Sequence, residues 1–525
     1  MAIGNKFTLF LSIGRLRVKK QNTETILLQK CKKNATFANR NKKNKMLPDA
    51  ITFREIISCL YWLYMIVAII TSLNVVLNNR IPIKTIAWVM VILALPFIGL
   101  IIYFIFGRDN RRRRLINRRF LTQIQKKSLL ICAHSEQKLN IPEKYSRLIQ
   151  FFENIADAYP TEKSDIEIIS DGTEFFDRLI SEIGQAKDHI HIQFYIFRDD
   201  ATGHRVREAL MAKAEEGVEV RLLYDDVGCW TTDYEFFEEM RCAGIYVKGF
   251  LKVRFPFSPG KVNYRNHRKL VIIDGKRAFI GGMNVADRYV DGGKWGAWRD
   301  IMLFVRGEAV YSMQTSFLVD WYFADRSLIS GSRYYPEAVT EGRILTQTVS
   351  SNPIGVWREM LQGMAYAISC SRDYLYIQTP YFMPSDYVLT AILNLALAGA
   401  DVRIMVPEES DNIMTQLASR SYLADVVSAG AKVYLYQKGF LHSKMLVSDD
   451  SLASIGSANI DFRSFECNFE INTFVYDGNI ARQLKEIFMD DIRNCRQLTY
   501  KELKEQRSLP QRLKESVARL FSPIL

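Results

Sequence analysis

Histidine and cysteine are scarce in this chain, with six and eight residues among 525. Cys31, Cys59, Cys132, Cys229, Cys242, Cys370, Cys467 and Cys495 form no Cys-x-x-Cys pair, which argues against a zinc ribbon, a redox dithiol or a disulfide scaffold. They read as reduced, mostly packed thiols. No His/Asp cluster has metal-ligand spacing, so neither a metal nor another cofactor is expected. A basic body is also missing. The net charge is +13, but residues 1–45 hold twelve Lys/Arg against one acid, Glu24, and so carry +11. The other 480 residues net only +2, which weighs against a nucleic-acid-binding body. With 48% hydrophobic and 24% charged residues the chain is neither disordered nor fibrous, and its length suits two to four structural units.

Two long apolar runs stand near the start. Ile56–Leu77 and Thr85–Phe106 carry no charge, and each is long enough to cross about 30 Å of hydrocarbon as a helix. Their doubling and the lack of an A-x-A site disfavour a cleaved signal peptide. Arg108, Arg111–Arg114, Arg118 and Arg119 follow the second run. The positive-inside rule places that cluster, and the body behind it, in the cytoplasm. The expected organisation is a basic tail at 1–50 and a transmembrane hairpin at 51–107, with spans 56–77 and 85–106. A basic juxtamembrane linker follows at 108–160. Met46 offers a second start, and the tail before it is expected to be dispensable for insertion and catalysis.

The body repeats itself. IQFYIF at Ile192–Phe197 has a counterpart in IQTPYFMP at Ile377–Pro384. A helical stretch follows each (206–216 and 387–398), then a Gly-led apolar strand, Gly217–Asp226 or Gly399–Ser410. Strand-like and helix-like runs alternate, which predicts an α/β fold of two similar halves, 161–335 and 336–500. A C-terminal amphipathic segment, 501–525, places Leu513, Val517, Leu520 and Phe521 near one helical face. It suits either a helix docked on the body or one lying at a membrane surface.

Two of the six histidines open the same pattern, His-x-Lys-x4-Asp. They are His267, Lys269, Asp274 and His442, Lys444, Asp449. From ordinary composition two such matches arise by chance roughly 2 times in 10,000. Six residues after each Asp comes GGMN (Gly281–Asn284) or GSAN (Gly456–Asn459). Residues i and i+2 of a strand share a face, so each His lies beside its Lys. Two halves related by a pseudo-twofold bring both pairs to one pocket. There two ammonium groups can hold phosphodiester oxygens, while one neutral imidazole attacks phosphorus and the other, protonated, serves the leaving alkoxide. Asn284 and Asn459 can donate further hydrogen bonds. Asp274-Gly275 and Asp449-Asp450 read as tight turns.

These motifs resemble the phospholipase D superfamily and, within it, the bacterial cardiolipin synthases. NYRNHRK at Asn263–Lys269, GFLHSK at Gly439–Lys444, Trp298–Asp300 and NIDFRSFECNFE at Asn459–Glu470 carry the resemblance. So does an apolar region ending in FGR before an Arg cluster. The resemblance implies two phospholipase D-like halves behind a membrane anchor in the bacterial plasma membrane. It implies transfer of a phosphatidyl group from one phosphatidylglycerol to another through a phosphohistidine, yielding cardiolipin and glycerol. His267 matches the usual nucleophile and His442 the acid and later base, with the reverse assignment open. Asp300 and Glu470 match carboxylates that stand behind the histidines. Hydrolysis or another phosphatidyl transfer needs the same groups, and a nuclease reading ranks below both.

Overall fold

The computed structural model describes residues 53–78, 82–107, 139–253, 263–293, 296–523 and 525. The basic tail, the link at 79–81 and the Arg cluster at 108–119 lie outside the described residues. The chain divides into two compact units, residues 1–74 and 75–525.

The described part of the first unit is a helix, Phe53–Asn78, which runs past the boundary. Within its stretch Arg54–Leu77, 18 consecutive residues have a mean hydropathy of 2.1, and only 11% of them are buried. At 1.5 Å per residue its 24 residues extend about 36 Å, enough to cross a bilayer core.

The second unit takes in the end of that helix and then the second apolar run, where the expectation of one helix over 85–106 needs correction. Helix Pro82–Ala94 stops, and a short helix Ile98–Ile102 and a π-helical turn Tyr103–Gly107 follow. Pro96 has no N–H to give the helix, and Phe97 takes a φ of 61°, which reverses the chain. Gly99 lets the returning arm approach: a Cβ there would lie 2.2 Å from the Val91 carbonyl oxygen. The Trp88 and Tyr103 rings then meet edge to face at 5.6 Å. Apolar composition alone does not reveal the reversal, because both arms are apolar.

Among the described residues the body holds eighteen strands. In the first half they are β1 (Ser164–Ile169), β2 (His189–Phe194), β3 (Glu219–Asp225), β4 (Tyr246–Phe250), β5 (Arg265–Asn266), β6 (Leu270–Ile273), β7 (Arg277–Gly281), β8 (Trp298–Arg299) and β9 (Met302–Gly307). In the second they are β10 (Thr346–Ser351), β11 (Tyr374–Gln378), β12 (Asp401–Pro407), β13 (Lys432–Tyr436), β14 (Phe440–Leu441), β15 (Met445–Ser448), β16 (Leu452–Gly456), β17 (Asn468–Val475) and β18 (Cys495–Leu498). One sheet runs β1-β9-β7-β6-β2-β3-β4, and the other repeats it as β10-β17-β16-β15-β11-β12-β13 with β18 added at the edge. Strands β2, β3 and β4 are parallel and the rest of that sheet antiparallel, as in the second. Their apolar runs are buried on both faces, as an internal sheet requires.

The two sheets share a core. Leu270, Ile280 and Leu303 of one join Met445, Ile455 and Ile471 of the other, with the helices Ala309–Asp325 and Gly478–Ile492. Outer helices cover the remaining face of each sheet. The halves are therefore one compact body. The region expected to be only a linker also contributes to it. Helix Glu143–Ala156 buries Tyr145, Leu148, Ile149 and Phe152, one helical stripe, against Val349, Ala367 and Phe474.

Candidate active site

Each motif begins where a two-residue strand crosses to the opposite half. β5 pairs in parallel with the start of β17, and β14 pairs in parallel with β8. The His267 N–H then donates to the Phe469 carbonyl at 3.0 Å, and the His442 N–H to the Arg299 carbonyl at 2.7 Å. This exchange sets a carboxylate of one half behind the imidazole of the other. His267 Nδ1 lies 3.1 Å from both oxygens of Glu470. His442 Nδ1 lies 2.6 Å from Asp300 Oδ2. Asp300 and Glu470 are fully buried.

Both histidines line one cavity of about 370 Å³. Asn284 and Asn459 line it too, so the structure brings together four of the residues singled out in sequence. Asn284 is held in place by accepting from the Ile196 N–H and donating to Tyr289 Oη, each at 3.1 Å. Lys269 and Lys444 are buried beneath the histidines, and each ammonium donates to the carbonyl of its own motif His. Lys444 Nζ also stands 3.6 Å from Asp300. The motif aspartates are elsewhere. Asp274 accepts the backbone N–H groups of Lys187, Asp188 and His189, which open β2. Asp449 does the same for Arg372, Asp373 and Tyr374 before β11, and pairs with Lys144. These two side chains tie a hairpin turn to the neighbouring strand and do not line the cavity. Both have positive φ, as the tight-turn reading requires.

Composition of the wall extends the earlier list. Arg265, Arg288 and Arg463 line the cavity with Tyr195 and Tyr381. Arg288 stacks its guanidinium 4.2 Å from the centre of the Trp298 ring. A signal for two of these arginines was present: Arg288 and Arg463 each stand four residues after the Asn of GGMN or GSAN. Tyr195 and Tyr381 follow the ends of β2 and β11, where the repeated apolar runs leave the sheet and become the pocket edge.

Burial governs the titration of the site. It lowers His267 to about 4, although Glu470 works the other way, and it pushes His442 well down, with Lys444 adding to the effect. Burial also brings Lys444 down to about 8, against the pull of Asp300, and Asp300 up to about 6, against the pull of Lys444. Glu470 behaves differently: burial opposes its ionisation, yet His267, Lys269 and Ser457 hold its pKa below the usual value. Burial therefore keeps the imidazoles neutral at neutral pH, and an entering phosphate anion favours protonation.

Two sheets of matching strand order, each giving the histidine of one His-x-Lys-x4-Asp motif to a shared pocket, define a phospholipase D-type phosphotransfer fold. A family model described as the cardiolipin synthase, phospholipase D-like domain matches residues 179–321 and 364–492. A second, the phospholipase D-nuclease N-terminal region, matches 61–108. The chain is 39% identical over 484 residues to the major cardiolipin synthase ClsA of Bacillus subtilis (strain 168), covering 90% of this chain and 100% of that one. It is 38% identical to the cardiolipin synthase of Oceanobacillus iheyensis, with the same coverage. One of Listeria monocytogenes is also 38% identical, covering 86% of this chain and 96% of that protein. The chain belongs to the cardiolipin synthase family. Among solved structures, phosphatidylserine synthase of Haemophilus influenzae Rd KW20 shares the fold, with a TM-score of 0.56 at 17% identity, over 72% of this chain and 100% of that one.

Proposed function

We propose that this chain is a membrane-tethered cardiolipin synthase that moves a phosphatidyl group from one phosphatidylglycerol to the glycerol hydroxyl of a second. The observation that carries this reading is the crossed pairing, His267 on Glu470 and His442 on Asp300. Glu470 on Nδ1 fixes the His267 tautomer that leaves Nε2 unprotonated for attack, and Asp300 on Nδ1 stabilises the His442 imidazolium that the entering phosphate anion favours, so His442 carries the proton it will donate. His267 Nε2 attacks phosphorus and His442 gives its proton to the departing glycerol oxygen. The phosphatidyl group is then carried on His267. His442 next removes the proton from the second lipid's hydroxyl, that oxygen attacks phosphorus, and His267 leaves. Arg265, Arg288 and Arg463 face the phosphate oxygens, and Lys269 and Lys444 supply positive potential from beneath. Asn284 and Asn459 add hydrogen bonds.

The test is to give purified protein phosphatidylglycerol in a bilayer and identify the products. Cardiolipin with glycerol supports the reading, whereas phosphatidic acid with glycerol means that water is the acceptor.

In this reading helix Arg54–Leu77 crosses the plasma membrane and the body lies in the cytoplasm, on the side of the Arg111–Arg114 cluster. The longer arm of the second apolar run, 13 residues, extends only about 20 Å, so in its folded-back form it enters and leaves the bilayer on one side. Two full crossings require the run to straighten through Leu95–Phe97. Labelling single cysteines at residues 48 and 200 from outside intact cells separates the forms. Labelling at 48 alone means one crossing, protection of both means two, and labelling at 200 overturns the cytoplasmic body.

A further inference from the structure

The last helix, Leu509–Leu520, has two unlike faces. One docks on helix Ile413–Ser428: Ala518 is buried, Arg519 bonds Asp425 at 2.7 Å and lies 4.0 Å from the centre of the Tyr422 ring. Its acid, Glu515, is also buried, where Arg507 and Gln511 bond it. The other face is apolar and open. Leu509, Leu513, Val517 and Leu520 are 77%, 64%, 42% and 78% exposed. At 100° per residue these four fall within an arc of about 80°. Arg512 and Lys514 flank the arc on opposite sides. A soluble helix docked by one face normally turns polar residues outward, so this stripe calls for an occupant.

The position of the stripe indicates what covers it. Beyond the helix, Phe521 is also exposed, and Leu525 reaches the active-site cavity, whose wall it shares with Tyr381, Met383, Asn412 and His442. Ile413, between the wall residues Asn412 and Thr415, is 65% exposed. Exposed apolar side chains therefore stand both on the open face of the helix and at the rim of the pocket. A cavity of about 370 Å³ admits a phosphoglycerol headgroup, but two long acyl chains must remain outside it.

We propose that the Leu509–Leu520 helix is a membrane-docking element: its apolar stripe enters an anionic phospholipid leaflet, and Phe521 and Leu525 guide the headgroup from that leaflet into the pocket. The basic flanks suit an anionic surface, and the apolar stripe with basic edges suits a helix lying in the interface. The inference rests on the proposed lipid substrate.

Two measurements on the full chain test it. In the first, the protein is reconstituted into phosphatidylglycerol vesicles that contain a phospholipid with a photoreactive acyl chain. Irradiation is expected to label peptides from 509–521 as well as 54–77. Labelling of 54–77 without 509–521 overturns the proposal. In the second, L513D/L520D is compared with wild type on bilayer phosphatidylglycerol and on a monomeric short-chain phosphatidylglycerol. Transfer from the bilayer is expected to fall at least 10-fold, with an unchanged rate on the monomer and an unchanged Tm. Equal rates on both substrates, or equal losses on both, overturn docking. Failure of wild type to use either lipid removes the substrate reading itself, which separates that failure from failure of the docking helix.

Discussion

The two halves of the body give the same strands, the same motif and the same crossed contact, yet the two histidine–carboxylate pairs are built differently. Glu470 accepts from Ser457, the second residue of GSAN, as well as from His267. At the equivalent position GGMN has Gly282, where a Cβ would lie only 2.1 Å from Asp300 Oδ1. The shorter Asp300 therefore approaches His442 to 2.6 Å through space that a side chain would fill, and it keeps a backbone donor, the Ile301 N–H at 2.8 Å. The physical result is unequal basicity. Glu470 is held ionised, whereas burial raises Asp300 to about 6. A firmly ionised partner suits a nucleophile that must hold one tautomer through a covalent intermediate. A partner with its own affinity for the proton suits the acid and base. The asymmetry agrees with His267 as nucleophile and His442 as proton carrier.

The largest test removes each imidazole. His267→Ala and His442→Ala are each expected to lower transfer by about 1,000-fold or more, with the double variant little worse, because the two act as one unit. Phosphatidylated protein should accumulate in His442→Ala and never in His267→Ala. The opposite trapping pattern would reverse the roles of the two halves.

The carboxylates come next. Glu470→Gln and Asp300→Asn are each expected to lower kcat by about 10²–10⁴-fold by losing the tautomer that places a proton on Nδ1. Gly282→Ser should approach the Asp300→Asn value, since its side chain displaces that carboxylate. Ser457→Gly only removes a hydrogen bond and should cost about 10-fold or less in kcat. Equal effects at Gly282 and Ser457 would show that the asymmetry has no catalytic weight.

The pH profile is a smaller and more specific probe. Asp300 takes a proton as pH falls through about 6 and ceases to accept from His442, and Lys444 loses its charge as pH rises through about 8. The expected kcat/KM profile is a bell with its plateau between these values. Lys444→Arg should carry the alkaline limb upward, because guanidinium keeps its proton. An unmoved limb would assign it to another group.

Effects on catalysis should be least at the motif aspartates. Asp274→Asn and Asp449→Asn are expected to destabilise the body by about 1–3 kcal/mol, seen as a lower Tm, with turnover near wild type. Asp449→Asn should be the worse, since it also strands Lys144. A large loss of kcat without a change in Tm would return these residues to the chemistry. EDTA should change nothing, because Arg and Lys supply the charge around the phosphate.

Much of this protein is local and therefore readable in one dimension. The alternation of apolar runs, the two motifs and their fixed distance to GGMN and GSAN arise within about twenty residues of chain, and β6, β7, β15 and β16 lie where those patterns put them. Arg288 and Arg463 were readable on the same terms, as a second repeated spacing. The pairing of His267 with Glu470 spans 203 residues and that of His442 with Asp300 spans 142. No spacing rule reaches so far, and only the resemblance to a family pointed to those carboxylates. The third dimension alone decided three other matters. Reversal of the second apolar run depends on Phe97 and on Gly99 meeting Val91. Burial of the two lysines depends on sheets closing above them. The arrival of Leu525 at the cavity that His442 lines depends on a helix docking 60 residues or more beyond the motif. Periodicity records which faces are apolar because water acts on each residue where it stands. It cannot record which distant face each one meets, because that choice belongs to the packing of the whole body.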